Sequence, residues 1–171
     1  MAGDKYIKNS GGTLTEQAAI QSSAGAGDAG KLVALDAAGL LAQSMMPTGI
    51  GPDTKDIPTS ENLAAGDYVN IWDDTGTAKV RKADGSSIGK EAHGFVLAAV
   101  TSPANAAVYF EGKNNQLSGL TPGATYFLSA VTPGAGTATA PSAAGNIVQR
   151  VGRSISATEV SFEAAQPIVL A

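Results

Sequence analysis

Residues 119–141 read GLTPGATYFLSAVTPGAGTATAP, and the phrase Thr-Pro-Gly occurs in them twice, at Thr121–Gly123 and at Thr132–Gly134. Proline presets φ at the second position of a tight turn, and glycine accepts the positive φ that the third position of a type II turn demands. Each phrase is therefore a stop with a mechanism. Between the stops, Ala124–Val131 is rich in β-branched and aromatic residues. After them, Thr137–Ala140 alternates Thr with Ala. Strand, turn through Pro133, Gly134 and Gly136, and returning strand predict a β-hairpin in an antiparallel, turn-dense protein.

The same grammar repeats on either side of this stretch. DYVNIW, the turn DDTG at Asp73–Gly76 and TAKVRKA predict a second hairpin, with Tyr68, Asn70 and Trp72 on one face. The apolar run AHGFVLAAV, Ala92–Val100, predicts a central strand covered on both sides. Ser102–Asn105 is a turn and AAVYFEG the strand that returns from it. NIVQRVGRSIS and EVSFEAA, joined at Ala157–Thr158, complete the series. Gly94 and Gly152 inside strands mark bends or bulges. The expected class is all-β: a small antiparallel β-barrel or sandwich, residues 57–171.

Residues 1–56 have another texture. They lack sustained alternation and are broken by Gly and Pro, in SAGAGDAG, DAAGLL and MMPTGIGPDT. They predict an extended, largely irregular N-terminal arm with short pieces of structure. TLTEQAAI fits a short helix, with Thr13 as N-cap and Glu16 as its capping-box partner. Leu32–Leu35 fits a short strand before a turn at Asp36–Gly39. AQSMMP fits one helical turn ended by Pro47, and Gly25–Gly30 a flexible hinge. Leu32, Leu35, Leu40, Leu41, Met45 and Met46 are too few to close a core. They are expected to be buried either on the β-domain or on a partner.

Composition narrows the function. Of 171 residues 43% are hydrophobic, enough for a core, but only 15% are charged and 21 are glycine. Small, weakly charged surfaces suit close contact with another protein. The formal net charge of −4 offers no basic stripe, so no nucleic acid is expected as partner. There is no cysteine, which excludes disulfides and thiolate metal sites. No apolar run approaches the length of a membrane span, and MAGDKYIKNSGG has no apolar signal region. Synthesis in a cytoplasm, without membrane attachment, is the expectation.

A search of the residues for chemistry finds no catalytic set. His93 is the only histidine; beside Glu91 it has no nucleophile to serve, and it reads as a half-buried strand residue bonded locally. Asp73-Asp74 lacks the alternating ligand spacing of a calcium loop. GAGDAGK departs from a phosphate-binding loop because Leu32 follows Lys31. A glycosidase would need two carboxylates across a cleft, and Glu111, Glu159 and Glu163 have no neighbours that mark such a pair. No cofactor, no metal and no enzymatic activity are expected. Arg81, Arg150 and Arg153 are the only arginines and are candidates for interfacial ion pairs. The candidate interaction residues are Leu32, Leu35, Leu41, Met45, Met46, Arg150 and Arg153.

Several phrases also resemble those of tailed-bacteriophage structural proteins. AGKLVALDAAGLLAQSMMP is similar to a phrase at the head of phage decoration and tail-fibre-like proteins. GLTPGATYFLS, APSAAGN and IVQRVGRSISATEVSFE resemble segments common in such virion proteins. LAAGDYVNIWDDTGTAKVRKAD leading into AHGFVLAAV is similar to the small β-domain of capsid decoration (cement) proteins. The resemblance spans Gly30–Phe162. It implies a homotrimer seated on the capsid exterior, with the major capsid protein as partner and head stabilisation as function. The β-domain would form its body, and the arm would lie across capsid subunits or a neighbouring protomer. The alternative it leaves open is a tail-fibre, spike or baseplate component.

Overall fold

The computed structural model describes residues 5–37, 39–46 and 51–171. The chain divides into two compact units, residues 1–51 and 52–171. It is all-β, with antiparallel sheets and two short 3-10 turns among the described residues.

The first unit opens with a hairpin of β1 (Lys5–Ser10) and β2 (Thr13–Ala18), paired from Lys5 with Ala18 to Ser10 with Thr13. The helix expected at TLTEQAAI is therefore a strand. Gly11 and Gly12, at φ of 59° and 90°, make a two-residue turn of the type that matches strand twist, and β-branched Thr13 and Thr15 favour the pleat. The Asn9 side chain accepts the Gly12 N–H at 2.9 Å and fastens that turn. The Leu32–Leu35 strand reduces to a single bridge between Val33 and Ile20. The expected hinge is closed instead. Ala26–Asp28 forms a 3-10 turn, with the Asp28 carboxylate accepting from the Ala24 N–H and bonding Lys31, both at 2.6 Å. The Lys31 hydrogen bond, then the Ala24 N–H, holds the Asp28 carboxyl below its ordinary value. Asp36 and Gly39 are joined by a backbone hydrogen bond of 3.0 Å, as a turn there requires. The helical turn at Gln43–Met45 is present as 3-10, while Pro47 lies outside the described residues.

The second unit begins earlier than residue 57. The strand β3 (Thr54–Pro58) pairs along its whole length with β7 (Asn105–Tyr109), so Thr54–Asp56 belong to the sheet. One five-stranded sheet runs β3-β7-β6-β4-β5, with β4 (Tyr68–Asp74), β5 (Thr77–Lys82) and β6 (Gly94–Val96). The other runs β10-β9-β12-β13-β8, with β8 (Gly112–Asn114), β9 (Thr125–Leu128), β10 (Gly136–Thr137), β12 (Arg150–Ser154) and β13 (Val160–Phe162). Between them in sequence, β11 (Ile147–Val148) pairs with the last strand, β14 (Ile168–Val169). The arrangement is sandwich-like.

AHGFVLAAV contributes only Gly94–Val96 as strand, though that piece is fully buried between β4 and β7, as a central strand should be. NIVQRVGRSIS splits at Gln149. In β4 alternation puts Tyr68 and Val69 on opposite faces, and both are fully buried. Tyr68 and Phe95 enter the core between the sheets with Leu128, Val151, Val160 and Phe162. Val69 and Val96 join Ile57, Leu63, Val80 and Val108 in a second cluster. Trp72 is only half-buried and carries the Arg81 guanidinium 5.0 Å over its ring.

The two Thr-Pro-Gly phrases form the expected turns. Ala124 N–H donates to Thr121 O and Ala135 N–H to Thr132 O, each at 3.1 Å, with φ of +82° at both Gly123 and Gly134. The strand between them is shorter than the sequence suggests, ending at Leu128. The Ser129 hydroxyl accepts the N–H groups of Val131 and Thr132 and starts the turn early. The second turn also joins the other sheet. Gly134 N–H donates to Ala83 O at 2.7 Å, and Gly134 O accepts from Tyr68 N–H at 2.8 Å.

The bend expected at Gly152 is a β-bulge, where the β12–β9 register shifts between Arg150 and Gly152. A Cβ there would lie 2.1 Å from Ser161 O. At Gly134 it would lie 2.7 Å from the Asp67 carboxylate. Gly152→Ala is expected to cost about 3 kcal/mol, because backbone must move. Gly123→Ala, with open space at its Cβ, should cost only the positive-φ term of about 1–2 kcal/mol. Urea unfolding of the two variants checks the order, and equal costs would contradict it.

Candidate functional site

The seven residues singled out from the sequence fall into both units. Leu32, Leu35, Leu41, Met45 and Met46 lie in the first, and Arg150 and Arg153 in the second. Leu32, Leu35, Leu41 and Met46 are exposed, at 56%, 52%, 48% and 37% of full accessibility. Met45 is half-buried. Leu32 and Leu35 line a hollow of about 540 Å³ with Lys5, Tyr6, Ala19 and Asp36. The Gln21 side chain donates to Leu35 O at 2.9 Å and Ser23 N–H to the Ser44 hydroxyl at 2.9 Å. The segment is thus held by polar bonds, with its apolar side chains left outward.

The arginines have partners inside their own unit. Arg150 pairs with exposed Glu163 at 3.2 Å, a contact worth little in water. Arg153 Nη1 donates to Gly123 O at 2.8 Å and clamps the first Thr-Pro-Gly turn to β12. Arg81 donates to Asn70 Oδ1 at 3.0 Å and to Gly89 O at 2.8 Å, besides covering Trp72.

Sequence reasoning missed Ile7 and Leu14. The strand register places Ile7 opposite Glu16 and Asn9 opposite Leu14, so Ile7 and Leu14 are diagonal neighbours on one face of the hairpin. They are 64% and 70% exposed. The signal was Ser-Gly-Gly-Thr between two alternating runs, read instead as a capping box. Val33 and Val131 are also exposed, the latter beside the second Thr-Pro-Gly turn.

A cleft of about 490 Å³ in the second unit is lined by Glu91, Ala92, His93, Gln149 and residues 164–167. His93 is exposed rather than half-buried, because the strand it was assigned to starts only at Gly94. Its Nδ1 accepts the Ile71 N–H at 3.0 Å, and the His93 backbone N–H donates to Val69 O at 2.8 Å. The Glu91 carboxylate accepts the Gly89 N–H at 3.0 Å. Gln149 is buried; its Oε1 accepts from Ala92 N–H at 2.7 Å and its Nε2 donates to Ala92 O at 2.9 Å. These groups tie loops to sheets. Asp73 accepts the Gly76 N–H at 2.9 Å and Asp74 pairs with Lys79 at 2.6 Å, which uses both carboxylates of that turn. A second pocket, about 280 Å³, has Tyr68, Tyr126, Leu117 and Asp67 in its wall. Burial pushes the Tyr68 phenol well above its ordinary value, with Asn114 pulling the other way. Among the described residues no group of three or more His, Asp or Glu side chains is placed to hold a metal ion. Nor is any helix among them long and apolar enough to cross a membrane.

No protein-family model matches the sequence, and no curated protein matches it. The site must be read from its own chemistry.

Gln149→Leu is expected to destabilise the second unit by about 3 kcal/mol, because Ala92 would keep a buried N–H and C=O without partners. His93→Ala, which removes one exposed acceptor, should cost about 1 kcal/mol. Equilibrium unfolding in urea separates the two.

Proposed function

We propose that this protein is a capsid decoration (cement) protein of a tailed bacteriophage. It binds the outside of the major capsid protein lattice as a homotrimer and stabilises the head, without catalysing a reaction. It is made in the bacterial cytoplasm and works on the virion exterior.

One observation carries the reading. A sandwich that closes two apolar clusters of its own shares a chain with a unit whose described apolar side chains are largely exposed. Phrases that resemble decoration proteins run through both. The sandwich supplies a body that holds shape, and the first unit supplies surface that gains burial only on contact. Several modest contacts per protomer, multiplied by the copies in a trimer, give avidity without one dominant site. Buried area added across junctions between capsomers would oppose the outward pressure of packaged DNA.

The test is co-sedimentation with capsids stripped of this protein, with bound copies counted per particle. The expected outcome is saturable binding in register with the capsid lattice and greater resistance of the particles to heat and osmotic shock. Binding of a few copies at one vertex would overturn it and move the protein to the tail, fibre or baseplate.

A further inference from the structure

We infer that the first unit is a self-assembly element whose hydrophobic core forms only between copies of this chain. This deepens the proposed function by naming where copies meet, and it is tested without capsids.

The first unit has a deficit of burial. Among the described residues 5–37, 39–42 and 44–46, none is buried. The apolar cores of the chain draw all their buried members from Ile57 onward. A two-stranded hairpin without a packed face is marginal in water, and a unit this small needs burial from elsewhere to hold its order. Yet the apolar side chains for a core are present. Ile7 and Leu14 lie on one face of the hairpin, and Leu32, Val33, Leu35 and Leu40 follow in the segment bridged to Ile20. All six are more than half exposed.

Charge argues for a second copy as the occupant. The described part of the unit carries Lys5, Lys8 and Lys31 against Glu16, Asp28 and Asp36. Lys5 is paired with Glu16, and Lys31 with Asp28 at 2.6 Å. Such a balanced surface neither repels its own copy nor presents a field that selects a charged partner. The backbone agrees. β1 and β2 form a two-stranded sheet, and no other described strand pairs with its outer edges. An open edge pairs readily with another chain. Copies that share the same apolar deficit and the same open edges satisfy one another when the edge and apolar face of one meet those of the next around the trimer axis.

Sedimentation equilibrium of the full chain at micromolar concentrations tests this. The expected mass is three times that of the 17.0 kDa chain. Leu32→Asp/Leu35→Asp and, separately, Ile7→Asp/Leu14→Asp should each sediment as the monomer. The thermal transition of the second unit, whose core contains none of these residues, should stay unmoved. A wild-type chain that remains at 17.0 kDa would overturn the inference, because the apolar side chains would then be covered by the chain's own second unit or by a foreign partner. So would both double variants assembling as the wild type does. Failure to bind stripped capsids, with self-association intact, would count against the capsid reading alone.

Discussion

Phe162 is the point on which the second unit depends. Its ring lies 5.9 Å from Tyr68 and 5.4 Å from Phe95, which belong to the other sheet. Phe95 stacks in turn on Tyr109 at 5.5 Å. Aromatic pairs at these separations add to the burial of their large surfaces, so a handful of rings joins the two five-stranded sheets. The chain has few aromatics to spend, four Phe, four Tyr and one Trp, and five of those nine sit in or against this cluster. Small residues around them let the backbones approach. Gly152 meets Ser161 O, and Gly94 meets Tyr109 O, at distances no side chain would allow.

The turns complete what the rings begin. The second Thr-Pro-Gly turn exchanges backbone hydrogen bonds with Tyr68 and Ala83, so it belongs to both sheets. The first is clamped by Arg153, and its Thr121 N–H donates to the Tyr126 hydroxyl at 3.1 Å. Buried Asn114 donates to Gly66 O at 2.8 Å, and buried Gln149 holds Ala92. Loops that are short, proline-bearing and bonded at both ends lose little entropy on binding, because little remains to lose. Such a body suits a holding role better than one that must open and close.

The first unit follows the opposite logic. It has hairpin, turns and side-chain caps, but no buried side chain among its described residues. Its order rests on local polar bonds, each worth little net in water. The two units thus differ in what holds them, one by a core and one without, and burial that a unit lacks internally can come only from contact.

Stops and starts were legible in the sequence by itself. Thr-Pro-Gly, Asp-Thr-Gly and the glycine inside VGRS each impose a backbone geometry on their own few residues, and each is where the residues place it. The all-β class followed from the density of such stops. Local chemistry could not tell how far a strand runs between them. AHGFVLAAV yields three strand residues because only Gly94–Val96 find partners on β4 and β7. Leu32–Leu35 yields one bridge because only Ile20 pairs with its backbone as a strand would. TLTEQA pairs with KYIKNS, and that overrides a capping pattern too short to nucleate a helix. The outward Leu and Met side chains were legible as surplus, but Ile7 and Leu14 joined them only once pairing put both on one face. A turn is determined by neighbours in sequence, whereas strand length, register and exposure depend on distant residues, and only the tertiary structure decides which of those meet.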